Sequence, residues 1–459
     1  MKPYLESEPD RYCRLFPPSQ SPVRPEGLVK LGSAMIDNGG DVSNPPPPDE
    51  YLADAGYTYF GQFLDHELTQ MDPLVDPVKN LAEDVENRQT PPLDLSHLYG
   101  GGPAKEPQLY EEDGARLRVG RSGNGHSFDV YVDPKNHQPV LADSRSRENI
   151  MLRQMVAVFA RLHNAAVKQV ITFEEARSWV TWQFQYLVVE DYLRRLLDAS
   201  VYKKVFVKKD FHFEWKKFSI PIEFAVAAMR HGHSMVRSNY LFPGENDQSL
   251  KSILDRSNKK GELEDSWRIA WGLFFQGAGG SGFTMTSRPI DTLVSKPLHD
   301  LSRLTLQLFT VSKMRVVPDR VRIALPVLTL LRGEKFQLPS GQNVANEFGV
   351  KELTTAELLR PRGKTAPQGP ILEEYELLTK TPLWYYILKE SEVRSNGSYL
   401  GSVGSHVMAE TIAAALRYDP NSYWNTAPPR GTWPLPWQIG GTTVRIYTLM
   451  ELFSYSSLF

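Results

Sequence analysis

Residues 60–70 read FGQFLDHELTQ and place a glutamine, an aspartate and a histidine inside an aromatic and apolar run. The three are Gln62, Asp65 and His66, spaced i, i+3 and i+4. On an α-helix this spacing puts all of them on one face. Two interpretations stay open at this point: the polar edge of an amphipathic helix, and the reacting face of an active site.

Helical patterns dominate the rest of the chain. A helix is predicted over 51–70, whereas residues 72–141 are rich in turn-forming residues and predict loops. A second helix is predicted over 148–170, where apolar residues recur at helical spacing without Gly or Pro. Thr172 and Glu175 form a capping-box pair at the start of a third, heavily aromatic helix. Further helices are predicted near 221–236, 247–256, 264–277, 320–332, 341–347, 354–359, 372–392 and 402–418.

These patterns predict the fold class and the domain organisation. Strand signals are few and short, so the sequence predicts a mainly α fold with many helices and little β structure. Residues 1–50 are rich in Pro, Ser and Gly, and they predict an extended arm that wraps the body. Residues 51–459 then form a single helical domain, with room for lobes. The segment GAGGSGF (277–283) lacks the lysine and spacing of a P-loop, so it is interpreted as a turn.

Composition excludes several classes of function. The 459 residues carry a formal charge of −2, which gives no electrostatic case for binding nucleic acid or an anionic membrane. Cys13 is the only cysteine, so an intramolecular disulfide or a cysteine metal cluster is excluded. The N-terminus lacks the apolar stretch of a signal peptide, and the apolar runs are too short for a bilayer. We expect a soluble chain, cytoplasmic or non-classically secreted, and leave its oligomeric state open.

Three further segments carry residues suited to chemistry, and each also has a plainer interpretation. Arg145 and Glu148 stand i, i+3 at a helix start, which is equally the spacing of a surface ion pair. His231 and His233 are two residues apart, so on a helix at most one of them binds a given centre. The segment TPPLDLSHLYG (90–100) carries hydroxyl and carboxylate oxygens, but such segments are usually turns. Singly, none of these signals is specific.

Together and in this order, the segments resemble the animal-type haem peroxidase superfamily, in a bacterial-type form. FGQFLDHELT resembles the distal-helix motif of that family, and DSRSRENIMLRQMVAVFARLHN (143–164) resembles its Arg-x-x-Glu helix. MRHGH (229–233) is similar to its proximal-histidine helix, and TPPLDLSHLYG is similar to its calcium loop. LTLLRGEKFQLPSGQNVA (328–345) resembles the segment that follows. The resemblance covers roughly residues 30–420 and implies an animal haem peroxidase-like fold around a buried haem.

The resemblance implies a role for each residue around the haem. His233 would be the proximal ligand of the iron, and His66 would be the distal acid–base. Arg145 would stabilise the charge that develops as the peroxide bond breaks, and Gln62 would hydrogen-bond the distal water or halide. A histidine suits the acid–base role because its unperturbed pKa of about 6.5 lets it take and return a proton.

The resemblance also implies covalent haem and calcium. Asp65 and Glu148 match the carboxylates that esterify the haem in this family, so a haem b derivative linked through both is expected. An ester has no charge to desolvate in an apolar setting. Calcium would be held by oxygen donors, with Glu67 standing where the family usually has aspartate. The expected calcium ligands are Glu67, Thr90, Pro92 (through its carbonyl), Asp94 and Ser96.

Three positions depart from the pattern of the family or of its branches. Asn149 stands where the myeloid enzyme has a haem-bonding methionine, which puts chloride oxidation in doubt. Thr329 aligns with the asparagine that hydrogen-bonds the proximal histidine. Arg230 occupies the position of the radical tyrosine of the fatty-acid oxygenases, and it could instead pair with a haem propionate.

The sequence therefore predicts a peroxidase that reduces hydrogen peroxide through a ferryl intermediate. Its expected donors are small: bromide, iodide, thiocyanate, phenols and aromatic amines. Two alternatives stay open. The chain could be a fatty-acid oxygenase of the same superfamily, which would need a tyrosine near the haem from elsewhere in the chain. It could also be a non-catalytic haem-binding or interaction protein.

Overall fold

The structure is a computed structural model of the chain. It describes residues 1–4, 6–37, 52–71, 85–89, 91–120, 128–169, 172–244, 246–278, 283–299, 324–361, 368–426 and 433–456. Within these ranges the fold is mainly α, as predicted. Thr90 and residues 38–51, 72–84 and 300–323 lie outside the described residues, and so do the parts of the predictions that fall there.

Helices account for most of the regular structure in the described ranges. In chain order the α-helices are α1 (Pro25–Ala34), α2 (Ala55–Leu68), α3 (Ser96–Tyr99), α4 (Ile150–Val167), α5 (Phe173–Leu187), α6 (Arg194–Leu196), α7 (Ala199–Tyr202), α8 (Ile222–Val226), α9 (Gly232–Met235), α10 (Leu250–Ser257), α11 (Leu325–Lys335), α12 (Gly341–Phe348), α13 (Thr355–Leu359), α14 (Gln368–Glu374), α15 (Leu383–Ser395), α16 (Ser402–Arg417) and α17 (Leu449–Tyr455). Shorter 3₁₀ turns span Pro107–Leu109, Ser144–Arg147, Ala228–His231, Asp265–Trp267, Trp271–Leu273 and Lys296–His299. Two π-helical turns span Val188–Leu193 and Lys203–Val207.

The described strands are short and pair two by two. They are β1 (Ile36–Asp37), β2 (Asn239–Phe242), β3 (Asn246–Ser249), β4 (Val294–Ser295), β5 (Pro436–Ile439) and β6 (Thr442–Arg445). β1 pairs with β4 in parallel, whereas β2–β3 and β5–β6 are antiparallel hairpins. None of these pairs forms a sheet large enough to organise the core, which is built from helices.

Helix α2 runs through the centre of the core. Every residue of α2 except Gln62 is buried. Phe63 stacks on Phe159 of α4, with ring centroids 4.9 Å apart, and meets Phe184 of α5 edge-on at 5.8 Å. A helix that is apolar and aromatic on several faces is typical of a protein interior. Asp65 and His66 are therefore buried with it, whereas Gln62 is partly exposed.

The predicted start signals of the two long helices are present. The side chain of Asn149 caps α4 by accepting a hydrogen bond from the Leu152 amide at 2.9 Å. Thr172 and Glu175 form the predicted capping box of α5. Because caps satisfy amides that lack a partner within the helix, such local signals fix where a helix begins.

The helical prediction near 221–236 is confirmed, but the segment is divided into α8, a 3₁₀ turn and α9. Side chains donate to several main-chain carbonyls here. The contacts are Arg230 Nε with Ala225 O at 2.8 Å, His231 Nδ1 with Ala228 O at 2.8 Å, and Trp384 Nε1 with Arg230 O at 3.0 Å. Carbonyls engaged in this way compete with helical hydrogen bonding, and the chain breaks around both histidines.

Three other helix predictions need correction. Residues 264–277 contain only two 3₁₀ turns, and 247–256 begins as strand β3 before α10. The helix predicted over 372–392 is interrupted between α14 and α15. Pro382 stands immediately before α15, and the residue preceding a proline disfavours the α conformation.

Part of the predicted extended arm is a helix. Helix α1 starts with Pro25 and buries Leu28 and Leu31 completely. Gly32 lies so close to the main chain of Val327 in α11 that an added Cβ would be 2.7 Å away. The arm is thus packed into the body over this stretch.

Within the described ranges, no helix combines the length and the apolar character needed to cross a membrane.

Candidate active site

A cavity of about 370 Å³ opens between α2 and the segment that carries α8 and α9. Gln62, Asp65 and His66 line it from α2, and Arg230 and His233 line it from the second segment. A volume of about 300–1,000 Å³ is typical of ligand pockets. Gln62, Asp65 and His66 therefore face one internal space, which favours the active-site interpretation over a solvated helix edge.

His66 is held as a neutral imidazole. Its side chain is buried, and burial together with the nearby Arg145 charge lowers its pKa well below the usual value. Nε2 lies 3.8 Å from a carboxylate oxygen of Glu148, which also lines the cavity. Within the described residues, Nδ1 has no hydrogen-bond partner. A neutral imidazole is the form that can accept a proton.

Arg145 lines the same cavity and is fixed by several acceptors. Its Nη1 donates to Thr69 O at 2.6 Å, and its Nη2 donates to His66 O at 2.9 Å. Both carbonyls lie at the C-terminal end of α2, where a helix favours positive charge. The guanidinium is thereby tied to the helix that carries His66.

Asp143 completes this arrangement and was missed by the sequence analysis. Its carboxylate accepts from Arg145 Nε at 3.0–3.1 Å and from the Arg145 amide at 2.8 Å. Burial acts to raise the pKa of Asp143, but the hydrogen bonds and charge of Arg145 outweigh burial and lower it. Asp143 is therefore ionised opposite the guanidinium. The signal was an aspartate two residues before the arginine, in a position typical of a cap.

Gln62 is oriented from both ends of its amide. Its Nε2 donates to Glu148 Oε2 at 3.1 Å, and its Oε1 accepts from Asn149 Nδ2 at 3.0 Å. Burial raises the pKa of Glu148 to about 7, although the Arg145 charge acts in the opposite direction. Asn149 thus both caps α4 and orients Gln62, which gives this departure from the family pattern a local role.

Among the described residues, one side-chain hydrogen-bond contact orients the ring of His233, whose edge also meets Trp384 at 6.0 Å between ring centroids. Its Nδ1 lies 3.4 Å from Thr329 Oγ1, and that hydroxyl donates to Leu325 O at 2.9 Å. Because the hydroxyl proton is committed to Leu325, Thr329 can only accept from Nδ1–H. Nε2 then carries the free electron pair that a metal requires. Burial lowers the pKa of His233 to about 3, helped by the Arg230 charge, so the ring is neutral.

His231 also reaches the cavity wall, and within the described residues its Nε2 has no hydrogen-bond partner. Its Nδ1 lies 2.8 Å from Ala228 O, a contact within its own 3₁₀ turn. Burial lowers its pKa to about 4. Two histidines therefore border the cavity from this segment, and sequence spacing alone did not separate them.

Asp65 and Arg230 form an ion pair across the cavity wall. Asp65 Oδ2 accepts from Arg230 Nη1 at 2.8 Å, and Oδ1 accepts from Thr69 Oγ1 at 2.8 Å. The acidic side chain on the buried face of α2 is thus neutralised by Arg230 in this arrangement. The predicted pairing of Arg230 with a haem propionate stays a prediction.

Glu67 contacts the loop on another side of α2. Its fully buried carboxylate accepts hydrogen bonds from the amides of Leu95, Ser96 and His97 and meets His97 Nδ1. A step of one residue turns about 100° around a helix, so His66 and Glu67 face different surroundings.

The other predicted calcium ligands lie in this loop. Burial raises the pKa of Asp94 to about 7, and the nearby Glu67 carboxylate adds to the effect. Arg177 Nη2 pairs with Asp94 at 3.1 Å, and Ser96 Oγ donates to a neighbouring glutamine. In the described part of the chain, no group of three or more His, Cys, Asp or Glu is arranged for a metal. The predicted calcium site draws mostly on hydroxyl and carbonyl oxygens.

Residues 75–429 match the family model for animal haem peroxidases, which is well over half of the chain. The chain belongs to the animal haem peroxidase family. Family membership implies haem binding and an oxidoreductase activity. The match covers the Arg145 and His233 segments but begins after α2.

Solved structures show the same fold as this family member. Peroxidase A from Dictyostelium discoideum is 15% identical, with a TM-score of 0.61, covering 92% of this chain and 87% of that one. The fatty acid alpha-dioxygenase of Oryza sativa is 11% identical, with a TM-score of 0.60 and coverage of 98% and 80%. The Arabidopsis thaliana enzyme is 13% identical, with a TM-score of 0.58 and coverage of 98% and 76%. No curated protein matches the chain by sequence.

The residues around the cavity fit a haem. The neutral His233 ring leaves Nε2 for an iron, and His66 lines the same space. Leu250, Leu254, Leu298 and Leu325 supply apolar wall, and Arg230 and Arg332 supply positive charge. An apolar macrocycle with two carboxylates matches such a lining.

Proposed function

We propose that the chain is a haem peroxidase that reduces hydrogen peroxide and oxidises small donors. The observation that carries the proposal is that the neutral, buried His66 and the fixed Arg145 line the same cavity as His233. A haem carrier needs a proximal ligand only, whereas peroxide cleavage also needs a proton acceptor and a stabilised cation.

The chain's own residues account for the proton and charge transfers. When bound, haem supplies the iron and the electrons that break the oxygen–oxygen bond. His66 takes the peroxide proton on Nε2, the ring nitrogen on the Glu148 side, and returns it to the departing oxygen. Arg145 stabilises the negative charge that develops during cleavage, and its fixed contacts mean that little reorganisation is required. Gln62 orders the water or anion beside them.

The proposed donors are bromide, iodide, thiocyanate, phenols and aromatic amines. Asn149 supplies an amide where a thioether would link to the haem, and its amide is committed to Gln62. Without that sulfur link, chloride is left out of the proposed donors.

A fatty-acid oxygenase is the second candidate, and one observation favours it. Arg230 occupies the expected tyrosine position, but Tyr12, Tyr59 and Tyr192 all line the cavity. The apolar wall that includes Leu250 and Leu254 could also contact a lipid chain. The two functions differ in their oxidant, because the oxygenase consumes molecular oxygen and the peroxidase consumes peroxide.

Ester links through Asp65 and Glu148 remain part of the proposal. Both carboxylates line the cavity, and burial raises the pKa of Glu148, so its ionised form is disfavoured there. An ester removes the charge altogether. Haem that stays with the polypeptide after acid–acetone extraction would support the links, and complete release of haem would contradict them.

Calcium is proposed for the loop that contacts Glu67. Burial raises the pKa of Asp94, the closeness of the Glu67 carboxylate adds to the effect, and a divalent cation would relieve the repulsion between the two carboxylates. His97 and Arg177 compete with the metal, since they already contact the same carboxylates. Metal analysis after dialysis against a weak chelator tests the calcium proposal. About one calcium ion per chain is expected, and a calcium-free protein would overturn the proposed calcium site.

The experiment that tests the main function measures turnover of haem-loaded protein in two conditions. In the first, peroxide is added with bromide, iodide or a phenol, and donor oxidation is expected. In the second, palmitate or an unsaturated fatty acid is added without peroxide, and oxygen uptake is measured. Donor oxidation without fatty-acid oxygen uptake supports the proposal. Oxygen uptake alone would establish the second candidate, and neither reaction would indicate a haem-binding protein without catalysis.

A further inference from the structure

Gln89 lies between the carboxylate that holds Arg145 and the loop that contacts Glu67. Its Nε2 donates to Asp143 Oδ2 at 3.2 Å, and its Oε1 accepts from Ser96 Oγ at 3.0 Å. The side chain is 8% exposed, so water competes little for these bonds. A continuous hydrogen-bonded path therefore runs from Ser96 through Gln89 and Asp143 to Arg145.

Asp143 and Ser96 fix the direction of the Gln89 side-chain amide, whose Nε2 also lies 3.5 Å from Gln70 Oε1. Asp143 is ionised and can only accept, so the NH₂ group must point to it. The amide oxygen must then face Ser96, whose hydroxyl donates. A flipped amide would place oxygen against carboxylate, which is repulsive, so one orientation is strongly preferred.

The main chain around Gln89 is anchored to the end of α2. Asn87 Nδ2 donates to Leu68 O at 2.9 Å. Asn87 Oδ1 accepts from two main-chain N–H groups, that of Gln70 at 2.8 Å and that of Gln89 at 3.3 Å. The same end of α2 supplies the carbonyls that accept from Arg145. The path thus connects parts that are each fixed to the distal helix.

We propose that Gln89 is a positioning residue for Arg145, acting through Asp143, and that it couples Arg145 to the loop at Ser96. This rests on the proposed function only in giving Arg145 its charge-stabilising role. Gln89 orients the Asp143 carboxylate, and that carboxylate orients the Arg145 guanidinium. Movement of the Ser96 loop therefore changes the orientation of both groups. Arg145 is then positioned from the loop proposed for calcium as well as from α2.

The test measures cyanide affinity of the haem-loaded protein by its absorbance change, without turnover. Cyanide enters as a neutral acid and is held as an anion, so its affinity responds to a displaced Arg145 even if the protein has no peroxidase activity. Q89L, D143N and S96A are compared with Q342L. Gln342 is buried to the same degree and has its own hydrogen bonds with Leu378 and Thr381, so Q342L controls for the loss of a buried amide.

D143N and Q89L are each expected to weaken cyanide binding by about tenfold, the low end of what the loss of an orienting partner usually costs. S96A is expected to weaken it by a smaller factor in the same direction, and Q342L to leave it unchanged. If D143N alone weakens binding while Q89L and S96A match the wild type, the proposed path is wrong.

Q89E tests a property that a merely structural role of Gln89 would not affect, namely how cyanide affinity depends on pH. In this variant a protonated carboxyl keeps the geometry of the amide and can donate to Asp143, whereas an ionised carboxylate repels it. The ratio of wild-type to Q89E cyanide affinity should therefore rise as pH increases. The ionisable groups nearby, which include Asp143, Arg145, His66, Glu67 and His97, are present in both proteins and largely cancel in the ratio. A flat ratio across pH would overturn the proposal, even if Q89L fails to fold.

Discussion

The two sides of the cavity are held very differently. On the α2 side, Arg145 is fixed by Asp143 and two main-chain carbonyls, and Gln62 is fixed at both ends of its amide. On the other side, among the described residues, the ring of His233 has one side-chain hydrogen-bond contact, a long one of 3.4 Å with the Thr329 hydroxyl, and an edge-on contact with Trp384 at 6.0 Å between ring centroids. The groups proposed to move protons and stabilise charge are thus set in advance, whereas the proposed iron ligand is loosely oriented.

This difference matches the different demands on the two sides. Charge stabilisation is effective only if the charged group is in place before reaction, because reorganisation costs free energy. A metal ligand is oriented by the metal bond itself once the metal is bound. Changes on the α2 side should therefore alter rates and anion affinity, whereas changes on the His233 side should alter haem retention and electronic properties.

The largest expected effect is on the His233 side. H233A should lose haem or hold it in disorder, because the free Nε2 of His233 is the proposed iron ligand. H231A is the matched comparison, since His231 borders the same cavity but has its Nδ1 within its own turn. Haem content per chain and the Soret absorbance measure both. Loss of haem in H231A with retention in H233A would reverse the assignment.

The next largest effect is on the α2 side and should leave haem in place. H66A removes the proton acceptor, so the rate of reaction with peroxide should fall by about 10²–10⁴-fold, the usual contribution of acid–base catalysis. Stopped-flow absorbance measures this rate. H137A, at an exposed position, should match the wild type. An unchanged rate in H66A would remove His66 from the mechanism.

A smaller effect on the same side is the pH dependence of folding stability, which is measured on haem-free protein. Burial raises the pKa of Glu148 from the usual carboxyl range to about 7. The folded state then favours the protonated form. Stability from this group is fully present below the unfolded pKa of about 4.3 and is lost as pH rises through 7. Relative to wild type, E148Q should therefore gain melting temperature between pH 5 and pH 8.

The comparison with E148Q isolates one residue among several. Burial also raises the pKa values of Asp94, Glu390 and Glu410 to about 7, and their contributions cancel in the difference between the two proteins. Thermal unfolding at several pH values gives the difference directly. A difference that stays constant from pH 5 to pH 8 would mean that the pKa of Glu148 is not raised in the folded protein.

The two sides also differ in how far sequence could predict them. The spacing of Gln62, Asp65 and His66 was sufficient to place them on one face, because helix geometry alone fixes that relation. The cap at Thr172 could be predicted because its partner, Glu175, is only three residues away in the sequence. The break in the helix at His231 could not be predicted from the sequence. Its carbonyls are engaged partly by Trp384, which is more than 150 residues away along the chain.

Tertiary contacts account for the other missed features. Asp143 could be seen in the sequence, but nothing local shows that Gln89 donates to it from 54 positions away. Likewise, Glu67 was predicted as a calcium ligand, and its contact with His97 depends on a loop closing onto α2. Patterns within one helix are predictable, whereas polar partners brought together from separate segments are not.

The smallest expected effect tests the loose side directly. T329V keeps the shape of Thr329 but removes the acceptor for His233 Nδ1–H, and T329N offers a stronger amide acceptor at the same place. Because the wild-type contact is long at 3.4 Å, its loss should cost less than about tenfold in haem affinity, below the usual range for orienting partners of a metal ligand. A stronger acceptor makes the ring more electron-rich, so the reduction potential should fall in T329N and rise slightly in T329V. Spectroelectrochemical titration and haem-transfer assays measure the two quantities. If T329V released haem as completely as H233A, the 3.4 Å contact would be holding the ligand as firmly as the contacts that fix Arg145, and the contrast between the two sides would fail.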